Sequence, residues 1–213
     1  MFTSKNIFLV SVFVFYSFVC SAQTEFITTW QTTTPSESIT IPTTGGGYNY
    51  NVNWGDASPD DTGVTGSVSH VYTTAGTYTV TITGTFNRIF FNGNATNAPK
   101  IQSIVQWGST RAWTNMSDAF EGCTNLVVNA TDFPLLTSAT SLQRMFRNAS
   151  AIGTGSATNW NSWNVSNITN MRQLFSGTSF NKDISLWNVS SVANFNGMFQ
   201  GASVFNQNIR KYL

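Results

Sequence analysis

Charge is scarce in this sequence. Aspartate, glutamate, lysine and arginine make up 9% of its 213 residues, against about 25% in an ordinary globular domain. Ten basic against nine acidic residues leave a formal net charge of +1, so no field gathers phosphates and nucleic acid is not an expected partner. Histidine is scarcer still, with His70 alone, and the acids Glu25, Glu37, Asp118, Glu121, Asp132 and Asp183 lie scattered. No nucleophile with a base, paired carboxylate or metal cluster emerges from them. No catalytic residue, cofactor or metal is therefore assigned, and the expectation is a protein without enzyme activity.

A membrane-spanning run is also lacking. The one strongly apolar stretch, Ile7 to Val19, follows Lys5 and leads to Cys20-Ser21-Ala22. It falls short of the roughly 20 apolar residues a spanning helix needs and has the layout of a signal peptide, residues 1–22, cleaved before Gln23. Lipidation at Cys20 competes with this reading, but Val19 stands where a small residue normally precedes a lipidated cysteine. The expected location is secreted or on the outer cell surface, with no transmembrane span after cleavage. A mature chain keeps one of the two cysteines, Cys123, and can form no internal disulfide. In FEGCTNL that cysteine reads as a small buried residue.

What the chain does have is 41% hydrophobic residues, enough for a core, and a polar fraction of Thr, Ser and Asn. From residue 24 to 97 the pattern has period two: ESITIP, YNYNVNW, GSVSHVY, TYTVTIT and NRIFF alternate apolar with polar and predict half-buried strands. Turn formers at 43–47, 55–61 and 74–76 separate them, which argues for an antiparallel sandwich. Within it, Trp54-Gly55-Asp56 and the later H-x-Y-x-x-x-G-x-Y-x-V series from His70 to Val80 resemble the PKD family of extracellular domains. The resemblance implies an immunoglobulin-like fold used as a spacer or interaction module, with Ala57 where a glycine usually completes the turn. His70 then reads as a structural hydrogen-bonding residue near Trp54. Asp56, Asp60 and Asp61 could offer oxygens to Ca²⁺, but they lack D-x-D-x-D-G spacing, and aspartates are common in turns for local backbone bonding.

After residue 98 the chain repeats itself. WNVSNITNMRQLF (163–175) returns as WNVSSVANFNGMF (187–199). Aligned on Phe120, Phe146, Phe175 and Phe199, the unit is about 24 to 29 residues long, and Met116, Leu142, Met171 and Phe195 stand four residues before each anchor. Positions four apart share a helix face, so each repeat predicts a short helix, a turn at a glycine able to adopt a left-handed conformation, and a brief extended piece. Such a unit cannot bury its apolar stripe alone; stacking closes the deficit. Trp163 and Trp187 hold equivalent places and are expected to stack with that spine, a structural role.

The two last repeats, from Trp163 to Trp187 and from Trp187 to Ile209, resemble those of the BspA-like leucine-rich-repeat surface proteins, with degenerate copies over 113–126 and 134–152. The resemblance implies a leucine-rich-repeat-type solenoid on secreted or surface-attached bacterial proteins. The expected architecture is thus mixed: a PKD-like β-sandwich over 24–97, then an α/β solenoid of about four repeats over 98–213. The expected function is adhesion or protein–protein interaction with an extracellular, host or matrix protein. Its surface is expected at positions that vary between copies: Arg172, Gln173, Lys182, Asn196 and Gln200. The alternative is a carbohydrate-binding accessory module, suggested by seven tryptophans and an Asn-rich surface. Self-stacking through the C-terminal repeat is a further expected contact.

Overall fold

The computed structural model describes residues 24–209; the signal-peptide assignment at 1–22 lies outside them. Eight strands form: β1 (Phe26–Thr32), β2 (Glu37–Ile41), β3 (Asn49–Asn53), β4 (Asp61–Val64), β5 (Val68–Tyr72), β6 (Gly76–Thr85), β7 (Ile101–Gln106) and β8 (Val127–Val128). A six-stranded sheet has the order β4-β3-β6-β1-β7-β8, and β2 pairs with β5 in a second sheet. All pairings are antiparallel except β7 with β8. The alternating segments ESITI, NYNVN, VSHVY and GTYTVTITGT became β2, β3, β5 and β6.

Two features of the sheet were not expected. One of its two central strands is β1, whose inward side is Phe26, Thr28, Trp30 and Thr32. The buried Thr28 is satisfied because the Trp30 indole N–H donates to its hydroxyl at 2.8 Å. In addition, β7 and β8 come from the repeat region, so one sheet runs through both halves of the chain and one buried hydrophobic cluster reaches from Phe26 to Met198. Arg111 fastens the join. Its buried guanidinium donates to the carbonyls of Gly84, Phe86, Thr24 and Ile82 at 2.9 to 3.1 Å.

NRIFF, expected as a strand, is none. The Phe90 N–H donates to Pro42 and the Phe91 N–H to Ala119, so this segment lies across the first repeat instead of entering the sheet.

The repeats overturn the α/β solenoid. Among the described residues the only helical segments are two short 3-10 turns, 98–100 and 160–162, and the chain is otherwise strands, turns and loops. The reason lies within each four-residue step. Asp118, Arg144, Gln173 and Gly197, which hold equivalent places two residues after Met116, Leu142, Met171 and Phe195, have φ of 60°, 52°, 55° and 64°. A left-handed residue there ends a right-handed helix before its first full turn. What forms is a pair of consecutive i to i+3 turns: Leu174 N–H to Met171 carbonyl in one copy, and Met198 to Phe195 followed by Ala202 to Phe199 in the next. A second left-handed residue follows four places later, Gly122, Asn148, Gly177 or Gly201. The extended piece of each repeat is not a strand either, except at β8.

The coils nevertheless stack in register. The N–H groups of Phe120, Phe146 and Phe175 donate to the carbonyls of Met145, Leu174 and Met198 in the following coil at 2.8 to 3.1 Å, and flanking residues repeat the pattern. Parallel bridges join Ser141 to Asn170 and Asn170 to Asn194. These bonds satisfy backbone groups that a helix would have satisfied internally.

Candidate interaction surface

Inside the stack, Phe120, Phe146, Phe175 and Phe199 form a column with ring centroids 5.6, 5.8 and 5.8 Å apart and planes within 14° of parallel. Met116, Leu142 and Met171 are buried beside them, and Phe195 and Phe199 are half-buried at the last coil. Trp163 and Trp187 stack on each other at 6.2 Å and are buried. Asn181 and Asn206, equivalent places in the last two repeats, meet through the Asn181 side-chain oxygen, which accepts the Asn206 N–H at 2.9 Å.

Of the residues expected to carry an interaction, Arg172, Asn196 and Gln200 are exposed and Gln173 is half-buried. Gln173 and Gln200 both border Gly197, and the Gln173 N–H donates to the Asn196 carbonyl, so these positions belong to adjoining steps of the last two coils. Lys182 does not join them. It sits after Phe180 and donates to the Gly155 carbonyl at 3.0 Å.

Next along the stack lies a charge network that sequence reasoning missed. Asp118 and Glu121 are nearly buried, the Arg144 Nε donates to Asp118 at 2.6 Å, and Arg147 stands 3.4 Å from Glu121. Burial pushes the Glu121 carboxyl above its ordinary value, partly offset by Arg147 and Arg144. The signal was present: Asp118 and Arg144 are equivalent positions of successive repeats with opposite charge. The network ties one coil to the next and leaves neither carboxylate open to a substrate.

In the N-terminal part, His70 stacks on Trp54 at 4.9 Å and its Nε2 lies 2.8 Å from an Asp56 oxygen. The Tyr72 hydroxyl donates to the Trp54 carbonyl at 3.0 Å. Ala57 takes the left-handed conformation, φ 62°, that a glycine would adopt at no steric cost. The three aspartates do not converge. Asp56 faces Ser58 and His70, Asp60 accepts from Asn53, and Asp61 accepts from the Trp54 indole. Among the described residues no three His, Cys, Asp or Glu side chains are grouped to hold a metal. Cys123 is fully buried, which raises its thiol well above the usual range.

The family described as "Mycoplasma protein of unknown function, DUF285" matches residues 76–162 and again 140–213, together about two thirds of the chain. The chain belongs to the DUF285 family. DUF285 is a repeat family whose domains are also carried by BspA-like surface proteins. The first DUF285 match starts at β6 and ends in the 160–162 turn, so it takes in part of the sheet as well as the first coils. No curated protein and no solved structure matches the chain. Among the described residues no helix is long and apolar enough to cross a membrane.

Proposed function

We propose that this DUF285 protein is a non-catalytic, exported bacterial surface protein that attaches to an extracellular protein through the flank of its repeats. The observation that carries the reading is the split within each coil. Recurring residues are turned into the phenylalanine column, while Arg172, Asn196 and Gln200, at positions that differ between copies, are left exposed, and Gln173 and Gln200 meet beside Gly197. The stack holds their spacing fixed, and a rigid row of polar side chains is what a protein partner can read. The resemblance to BspA-like repeats supports the same setting, with the N-terminal strands, PKD-like in sequence, as a spacer.

Replacing Arg172, Asn196 and Gln200 together with alanine tests this. Retention on immobilised extracellular-matrix proteins is expected to fall at least tenfold while the unfolding midpoint stays within a degree or two. Unchanged retention by a folded triple variant would sink the proposal.

A further inference from the structure

The charge network between the first two coils has a solvent side that its own carboxylates do not use. Arg144 spends its Nε on Asp118, and Arg147 turns its Nε toward Glu121 at 3.4 Å. The Asp118 and Glu121 side chains are only 10% and 11% exposed, whereas those of Arg144 and Arg147 are 29% and 34% exposed. The terminal Nη groups of both arginines meet no acceptor among the described residues and are not among the buried unpaired atoms, so they face water. One coil further on, Arg172 is exposed and pairs with no carboxylate among the described residues.

Backbone bonds hold these three residues as a group. The Arg144 N–H donates to the Arg172 carbonyl at 2.9 Å, and the Arg147 N–H to the Arg144 carbonyl at 3.2 Å. The group is bounded on both sides. In the first coil the matching places hold Ser117, Asp118 and Glu121, and in the last coil Asn196, Gly197 and Gln200. Cations therefore occupy two adjoining coils, between acids on one side and neutral residues on the other. With Arg88, which donates to the Ser117 carbonyl, the guanidiniums here outnumber the two carboxylates, in a chain whose formal net charge is +1.

We propose that Arg144, Arg147 and Arg172 receive an acidic segment of the extracellular protein partner, a run of aspartate or glutamate side chains on extended backbone. The assignment rests on attachment through the flank and names the chemistry of what is attached. Free guanidinium edges match a carboxylate in a two-bond fork, and clustered arginines are a recurring means of reading acidic motifs. Because Asp118 and Glu121 already hold their Nε edges, Arg144 and Arg147 lose little side-chain freedom on binding. Side chains on one face of an extended segment recur about every 7 Å. The step from the Phe146 ring to the Phe175 ring is 5.8 Å, so successive carboxylates meet successive coils. Beyond Arg172, the exposed amides of Asn196 and Gln200 can bond the backbone of the segment. A sulfated glycan needs cations along its whole length and would run off this patch onto Asp118 and Glu121 or onto neutral amides.

Fluorescence anisotropy of a labelled peptide carrying a run of glutamates, titrated with the purified chain at low ionic strength, tests it. The same peptide with glutamines and a sulfated oligosaccharide serve as comparisons. The glutamate peptide is expected to bind and to weaken as salt rises, and the glutamine peptide is not expected to bind. Arg172→Gln, which breaks no ion pair, is expected to weaken binding about three- to tenfold with an unchanged unfolding midpoint, and Arg172→Glu by more than about tenfold. Arg147→Lys keeps a cation beside Glu121, and with it the fold, and is expected to lose about threefold as a fork becomes a point charge. No binding of the glutamate peptide, equal binding of the glutamine peptide, binding that survives Arg172→Glu, or tighter binding of the oligosaccharide would each overturn the proposal. Any of these, with matrix retention still lost in the triple alanine variant, would remove the acidic partner and leave attachment through the flank standing.

Discussion

Phe146 lies face to face with Phe175, centroids 5.8 Å apart and planes 7° from parallel, and the same ring covers Phe120 on its other side. A ring enclosed on both faces loses its contacts wholly when truncated, because its neighbours are fixed by backbone ladders and cannot collapse inward. Phe146→Ala is expected to cost about 3 to 5 kcal/mol. At the half-buried end of the column, Phe199→Ala is expected to cost about 1 to 2 kcal/mol. Denaturant titration of the two variants checks the order; equal losses would mean the column is not a cooperative stack.

Gln173 offers a test of turn against helix. At φ 55° a residue with a Cβ is strained by about 1 to 2 kcal/mol, whereas glycine gives up about 0.5 to 1 kcal/mol of chain entropy. Gln173→Gly is therefore expected to leave stability unchanged or raise it by up to about 1 kcal/mol. In a helix the same change would cost about 1 kcal/mol. The converse, Gly197→Ala, is expected to destabilise by about 1 to 2 kcal/mol, because a Cβ there also meets Gln200 and Gln173 at 3.1 and 3.2 Å. Thermal unfolding reads both signs.

The sequence made some of this visible and hid the rest for physical reasons. Val52, Ile82 and their neighbours alternate with polar residues, and those strands were legible. β1 was not, since Thr28 and Thr32 occupy inward places and break the alternation. In the repeats, Met171, Leu174 and Phe175 follow the i, i+3, i+4 spacing of a helix face, but a pair of i to i+3 turns places the same three residues inward. Glycines at 122, 177 and 201 announced a left-handed turn; Asp118, Arg144 and Gln173 adopt one with no such signal. Variation between copies singled out Arg172, Asn196 and Gln200, which are exposed, and also Lys182, which binds the Gly155 carbonyl instead.

Arg111 links the two halves with a group that no apolar residue can imitate. Burial holds its guanidinium down at about 10, and four carbonyls accept its N–H groups. Arg111→Met is expected to leave those carbonyls without donors at about 1 to 3 kcal/mol each, less what water restores from the shallow hollow that Arg111 lines with Thr24, Gly84 and Phe86, for a net loss of roughly 3 kcal/mol or more. Arg111→Lys, with three donors instead of a five-donor fork, is expected to recover only part of it. Chemical denaturation with probes in the sheet and in the coils should show both halves weakened together; loss confined to one half would contradict a shared core.

Stability is expected to decline in acid for a reason found in the N-terminal part. The Lys100 ammonium, followed by the Thr33 N–H, holds the Glu37 carboxyl at about 2 instead of its ordinary 4.5. Burial pushes Asp56 up, but the Ser58 hydroxyl and the His70 ring outweigh it and hold that carboxyl at about 2 as well. Because both are depressed in the folded state, their contribution is complete above pH 4.5 and is lost as pH falls toward 2. Glu37→Gln is expected to be less stable than the parent at pH 6 and to converge with it at pH 2. A gap that persisted at pH 2 would show that Glu37 acts by something other than its charge.

A sugar-binding face requires an aromatic ring that a pyranose can lie against, and tryptophan is the ring the composition offers. Every one of the seven is buried, with Trp163 the most accessible at 4%. Trp163 and Trp187 already spend their faces on each other, and the Trp187 indole N–H donates to the Trp160 carbonyl at 2.7 Å. Opening any of them to a ligand would uncover a wall of the core. Soluble oligosaccharides are therefore expected to leave tryptophan emission unchanged in wavelength and intensity. Acrylamide should quench that emission weakly in the folded chain and strongly in denaturant. A saturable spectral shift with one oligosaccharide would require a tryptophan to leave the core on binding, and would restore the carbohydrate reading against the adhesive one.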